Sequence, residues 1–540
     1  MKKLALVVAF LLAATAAPAT ASDGDSASRP ARSIARPSVL NGPNGVYVNP
    51  VDGNVYVASV LGDEITVHDP RTGKILDRIG PERGVNGPDD LVIAPDGTIY
   101  WTEILAGNVG MLKPDGEFLV KFVAPGVNPI TLSDDGRLFV ARDFLGDGLY
   151  ELDPETLDVE RILIPDIVGL NGMDFGPDGY LYGPLFFGGA IVRIDVDAEV
   201  PEPEVVATGF PIPAAVAFSP DGVLHAVDFA EGQVIRVDVD TGATEVLADI
   251  EGNLDNLAFS PGGALYTTAF GDGQLLRLRN NGTLRQLNRA GLIAPGGVAL
   301  DDDGDVWVAD FFSVREYGFR RRPITSFYDR FDPPGAGQAT ANTIDVSGDT
   351  IITTGWFSNA VQVVDQETGA ILEDIRTLAT PVNAIDHGGQ LVAAQVGSTV
   401  VDARTGDVIV DGLTYPLGLV SDGSTLYVGD WATGQIWAKP ADGSATVVAD
   451  GFVTPEGLAL RGDLLFVVEE ALDRVVVVDL GTGDRSVVVE DIALGERVVP
   501  TAVPHGNFNG IAVDHRRVYV SSDVDNTVYL FKRRALLQGG

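Results

Sequence analysis

Gly87–Val123 reads GPDDLVIAPDGTIYWTEILAGNVGMLKPDGEFLVKFV. Four apolar runs, LVIA, TIYWT, VGML and FLVKFV, are separated by turns, and PDG fills two of the breaks. Proline presets φ and glycine supplies φ > 0, so these breaks are tight turns between short strands. The stretch predicts a four-stranded antiparallel meander.

The chain repeats this unit. Copies follow Leu170 (NGMDFGPDGYLY), Pro213 (AAVAFSPDGVLHAVD), Leu254 (DNLAFSPGGALYTTA), Pro295 (GGVALDDDGDVWVAD), Pro455 (EGLALRGDLLFVVEE) and Phe508 (NGIAVDHRRVYVSSD). Weaker copies start near Pro43, Val127, Ala341, Val382 and Pro416. Aligned on the residue before the first apolar strand, they give one column: Asn44, Asp89, Asn128, Asn171, Ala214, Asp255, Gly296, Asn342, Asn383, Leu417, Glu456 and Asn509. The twelve units recur about every 42 residues, which is the signature of β-propeller blades. A single propeller usually holds about four to eight blades, so the expected fold is all-β: two tandem six-bladed β-propellers.

Met1 to Ala21 reads as a cleavable export signal, with Lys2 and Lys3, an apolar run from Leu4 to Ala17, and Ala19-Thr20-Ala21 ahead of Ser22. The expected location is therefore secreted or periplasmic. Residues 22–37 are polar and read as a disordered leader. Strand counting places the propellers at 38–280 and 281–533, with a tail at 534–540. In that scheme the short apolar run Ser38–Leu40 closes blade six, and Thr283–Leu287 closes blade twelve, whose own fourth strand is missing; the competing split leaves Thr283–Leu287 in blade six and blade twelve with an unpaired edge. Two long segments interrupt the second half, Arg320 to Gln338 and Ala493 to Asn507, and loops of that length are usually functional or interface-forming.

The absence of cysteine removes disulfides and thiolate metal sites, so stability has to come from burial. A net charge of −39 disfavours duplex nucleic acid, whose affinity rests on Lys and Arg at phosphates. The same charge suits cations, a cationic partner, or simple solubility. No run beyond the export signal is long and apolar enough to span a bilayer.

The blades resemble two related families. PAAVAFSPDGVLHAVDFAEGQVIRVD, from Pro213, resembles the NHL repeat and equally the blades of the senescence-marker/gluconolactonase and paraoxonase-like calcium propellers. GPDDLVIAPDGTIYWTE is also similar to blades of the streptogramin lyase family. The resemblance covers nearly the whole mature chain but is one of scaffold, so it speaks to fold more than to function.

In a propeller, the residue before the innermost strand sits at one mouth of the central channel, so the column converges on the axis. Amide and carboxylate oxygens are what a hard cation such as Ca²⁺ prefers. In the first propeller the candidate ligands are Asn44, Asp89, Asn128, Asn171, Asp255 and Asn256, with Asp90 alongside. The resemblance implies an axial calcium held at this position, and Asp255-Asn256 matches an Asp-Asn pair of the paraoxonase-like members. Where the gluconolactonase-like pattern has a first-blade Glu, this chain has Asn44. Turn chemistry alone also explains Asn and Asp before a strand. The second ring, with Asn342, Asn383, Glu456 and Asn509, is weaker because Gly296 and Leu417 bring no ligand. A further acidic column, Glu103, Asp143, Asp228, Asp310, Asp430 and Asp523, ends the second strands and is expected to cap turns.

Three functions fit these residues. One is a calcium-dependent lactone or ester hydrolase, with Asp255 or Asp89 as base or nucleophile. Another is a non-catalytic extracytoplasmic propeller that binds a protein or glycan at its mouth loops. The last is a metal-dependent lyase, which calls for a His/Glu pair near the axis; His505 is the one histidine expected at a mouth, and His68 and His225 are expected on sheet faces.

Overall fold

The structure is a computed structural model that describes residues 32–143, 145–279, 281–318, 323–329, 338–495 and 508–532. The export signal, the leader up to residue 31, most of both long insertions and the tail lie outside the described residues. So does His505.

The described chain forms twelve four-stranded antiparallel sheets, as the repeats predict. Blade 2 shows the pattern: Leu91–Ile93, Ile99–Glu103, Asn108–Leu112 and Phe118–Phe122 pair in sequence order. The three inner strands are buried and the outermost is half-buried, with exposed ends, so core residues concentrate toward the axis and between neighbouring sheets.

Blades 1–6 close one ring. Thr268 Oγ1 in blade 6 donates to Asn44 O in blade 1 at 2.5 Å, and Tyr266 OH to Pro70 O at 2.9 Å. Blades 7–12 close the other, where Gly510 N–H donates to Gly296 O at 3.2 Å. Where a glycine follows the ring residue, as Gly45 and Gly172 do, it has a packing reason. A Cβ on Gly45 would sit 2.7 Å from Asp90 Cα, and one on Gly172 would sit 2.2 Å from Ala215 Cβ. At these two positions the inner strands of adjacent blades approach too closely for a side chain.

The closing strands differ from expectation. Leu284–Gln286 stays in blade 6, paired with Gln274–Leu278. A tight turn holds it there, with Arg279 N–H donating to Thr283 O at 2.9 Å and Gly282 at φ 76. Blade 12 is closed instead by Arg32–Ala35, which pairs with Thr527–Lys532. Residues 32–35 therefore belong to a strand rather than to a disordered leader. Ile34 and Ala35 pack among Tyr317, Tyr519, Val528 and Leu530, while Leu40 joins Leu275 and Leu287 in the first ring. The chain thus starts in the second ring, builds the whole first ring, and returns. The two crossings run side by side: Ser38 N–H donates to Leu292 O and Leu292 N–H to Arg36 O, both at 2.9 Å.

Pro323–Tyr328, inside the segment expected to be an insertion, is the outer strand of blade 7.

Candidate functional site

The start of every inner strand faces one mouth of its ring, and the first ring brings its column together there. Asn44 Nδ2 donates to Asp89 Oδ1 at 2.9 Å, and Asn128 Nδ2 to Asn171 Oδ1 at 3.3 Å. Asp89, Asn128, Asn171 and Asp255 are buried, and Asn44 is half-buried. Ala214 supplies no donor.

Two neighbours of the column have structural duties. Asp90 accepts Leu91 N–H at 2.9 Å, Asn256 Nδ2 at 3.0 Å and Ile130 N–H at 3.2 Å, which ties blades 2, 3 and 6. Asn256 spends its amide on Asp90 and its Oδ1 on Leu257 N–H at 2.8 Å. Neither of its polar atoms is left for a ligand.

The acidic column at the second-strand ends caps turns as expected. Asp228 accepts Ile212 N–H at 3.0 Å, Asp310 accepts Ile293 N–H at 2.9 Å, and Asp430 accepts Tyr415 N–H at 2.9 Å. Asp143 is the exception. In blade 3 the segment entering the inner strand turns at Gly126 (φ 73), and Val127 N–H donates to Ala124 O, so no amide is offered to the carboxylate. Asp143 is fully buried and neither of its oxygens has a hydrogen-bond partner. Sequence placed it among the caps; the one signal against this was the Gly126-Val127 entry, unlike the Ile-Pro that precedes Asp228.

The electrostatics assemble a cluster. Burial raises the Asp143 carboxyl well above the usual range, and Asp89 and Asp255 raise it further. Asp89 is raised by burial, then by Asp255 and Asp90. Asp255 is pushed up to about 7, first by burial and then by Asp90. Burial likewise lifts Asp90 to about 6. No Lys or Arg is among the groups acting on these acids. Asp89 Oδ2 is a third buried carboxylate oxygen without a partner among the described residues.

Buried, unpaired acceptors beside one another are costly unless a proton or a cation joins them. The donor set is all oxygen, which fits a hard cation. Among the described residues no three His, Asp or Glu side chains already stand in a metal-holding arrangement. A cation here therefore has to draw on the amide oxygen of Asn44 as well as on the carboxylates, because Asn171 Oδ1 already accepts Asn128 Nδ2 and Gly172 N–H (2.9 Å) and Asn128 Oδ1 accepts Thr102 Oγ1 (3.4 Å).

The mouth is roofed by apolar residues that follow the second strands: Val60, Phe186, Phe229 and Phe270, with Ile104 packed against them. Phe312, from the hairpin of blade 7 in the second ring, completes the roof. Its ring lies 4.8 Å from that of Phe270 and 6.1 Å from that of Phe229.

Two of the four described histidines, His68 and His225, take other roles. His68 is buried and bonded to Thr66 and Gly73, and His225 packs on Phe259, so both are sheet-face residues.

Among solved structures, a streptogramin B lyase is similar at 21% identity and TM-score 0.39, over 52% of this chain and 93% of that one. A protein assigned as a gluconolactonase is similar at 18% identity and TM-score 0.38, over 48% and 94%. The extracellular domain of a one-component system from B. thetaiotaomicron is similar at 10% identity and TM-score 0.31, over 95% and 84%. No curated protein sequence matches significantly. Residues 87–292, the span that carries Asp89, Asp143 and Asp255, are similar to the SMP-30/Gluconolactonase/LRE-like region family.

Proposed function

We propose that the first ring is a metal-dependent hydrolase of lactones or esters, working outside the cytoplasm. The observation that carries this reading is the set of buried, unpartnered carboxylate oxygens on Asp89 and Asp143 beside Asp255. Calcium is the ion that the ligand chemistry favours; Asp89 and Asp143 would hold it with the amide oxygen of Asn44, leaving Asp255 beside it. When bound, it polarises the substrate carbonyl and stabilises the developing oxyanion.

The side chains supply the rest. Asp255 has no hydrogen bond among the described residues and a carboxyl lifted to about 7, so near neutral pH it can take a proton from water at a carboxylate oxygen. The Asn44 amide fixes Asp89 through Oδ1 and leaves Oδ2 for the cation. The roof of Phe186, Phe229 and Phe270 excludes water and strengthens every charge interaction beneath it. The proposed substrate is accordingly a small lactone or ester. Export rests on the basic, apolar and Ala-Thr-Ala pattern of residues 2–21.

The test is turnover of a lactone and ester panel by the purified full chain, with calcium and with chelator. Chelator-sensitive hydrolysis lost in Asp143→Asn and Asp89→Asn supports the reading. Metal binding without turnover of any panel member would make the ring a binding module instead.

A further inference from the structure

The second ring holds a cavity of about 260 Å³ on its axis, and it is organised in three layers. At the mouth it is lined by Glu456, Asn509 and Asn383; two residues further along every inner strand comes a complete aliphatic belt, Val298, Ile344, Ile385, Leu419, Leu458 and Ile511; one residue deeper lie Asp345 and Asp386. With a strand rise of about 3.3 Å per residue, the upper and lower acids stand about 10 Å apart along the channel.

The polar groups with capacity left are acceptors; at the lower level Asp345 Oδ2 accepts Asp386 N–H at 3.0 Å and Asp386 Oδ1 accepts Gly389 N–H at 3.1 Å. Asn509 is fully buried; its Nδ2 donates to Asp523 Oδ1 at 2.9 Å, while its Oδ1 has no partner. Glu456 is buried, accepts Asn509 N–H at Oε2 (2.8 Å), and makes no other hydrogen bond among the described residues. Donors are already spent: Asn383 Nδ2 on Leu417 O at 3.0 Å, Thr343 Oγ1 on Val382 O at 3.3 Å. Among the described residues no Lys, Arg or His lines the cavity. Burial, Glu470 and Asp523 all push the Glu456 carboxyl up, a penalty that an incoming cation removes.

We infer that the axial cavity of the second ring binds a linear alkyl polyammonium ion, one ammonium at Glu456 and Asn509 Oδ1, its methylenes in the aliphatic belt, and a second ammonium at Asp345 and Asp386. An ammonium brings several N–H donors to acceptors that lack them, and methylenes match a wall that would repel a hydrated metal ion. A hard dication fits less well, because one mouth carboxylate is too little charge for it. The site is separate from the carboxylate cluster of the first ring.

Isothermal titration of the full chain, stripped of metal, with 1,7-diaminoheptane, heptylamine and 1,7-heptanediol tests this. The diamine is expected to bind, the monoamine at least tenfold more weakly, and the diol not at all. Glu456→Gln and, separately, Asp345→Asn are each expected to weaken the diamine tenfold or more. Equal binding of diol and diamine would overturn the inference, as would diamine binding that survives both substitutions, which would place it on the acidic exterior.

Discussion

The Arg315 guanidinium, carried by blade 7 of the second ring, lies 3.0 Å from Asp272 Oδ1 in blade 6 of the first. Its Nη2 also lies 3.3 Å from Asp310 Oδ2 and donates to Gly271 O. Arg315 and Asp310 are fully buried, and Tyr328 OH adds a bond to Asp272 at 3.0 Å. The rings are therefore joined through a buried ion-pair network, whose members are costly to separate but of modest net worth together.

Arg315→Ala should destabilise the chain by about 3–5 kcal/mol, the range for stranding a buried charge. Calorimetry should show the single melt splitting as the rings uncouple. Adding Asp272→Asn should recover part of the loss; no recovery would mean that Arg315 acts through packing alone.

Asp143 and Asp228 occupy the same place in their blades yet should respond oppositely. Asp228→Asn weakens a cap that accepts two backbone amides, with a cost of about 1 kcal/mol. Asp143→Asn removes a carboxylate that has no partner, so the metal-free protein should gain stability while its calcium response falls. Equal losses in chelator would return Asp143 to the capping column.

The cluster also sets a pH dependence. Asp255 ionises near 3.9 when unfolded and at about 7 when folded, so between those values the folded state holds the extra proton. Its stabilising contribution is complete below about pH 4 and is lost as pH rises to about 7, with a slope of up to about 1.4 kcal/mol per pH unit. Melts in chelator should therefore fall over that window, and Asp255→Asn should flatten the decline. Calcium at 100 times its dissociation constant should restore about 2.7 kcal/mol.

The repeated turns made the blades legible from sequence, because Pro, Asp and Gly act locally. The converging column was legible for the same reason. What escaped depends on contacts far apart in the chain. Arg32–Ala35 has only Ile34 and Ala35 to bury, and its partner strand lies almost five hundred residues away. Asp143 reads as a cap until the amide it lacks is seen, and Asn256 reads as a ligand until Asp90 is seen to consume it. The aromatic roof, shared by two rings, has no sequence period at all.

The closing strand makes its own prediction. Ile34 lies in the core shared by blades 7 and 12, so Ile34→Asp should bury a charge there and cost several kcal/mol. Hydrogen exchange should accelerate in Thr527–Lys532 and its neighbours, while blades 2–5 keep their protection. Uniform acceleration across both rings would show that the first ring depends on the second for its stability.

Phe312 gives the sharpest test of how the two rings cooperate. It sits in a two-residue hairpin between Val306–Asp310 and Ser313–Tyr317, in which Phe311 adopts φ 49. Glycine is the usual residue at that position of such a turn, and a bulky side chain there carries strain. The strained hairpin projects Phe312 against Phe270 and Phe229, above the carboxylates of the other ring. Phe312→Ala should cost about 3–5 kcal/mol, as deletion of a buried aromatic ring does, and should also open the roof. Phe311→Gly should relieve the turn while leaving Phe312 in place. If the roof controls entry, stopped-flow measurement of calcium release should be faster in Phe312→Ala and unchanged in Phe311→Gly. Equal release rates in all three proteins would mean that ions reach Asp89 and Asp255 from the opposite end of the channel, and that Phe312 serves only to hold the rings together.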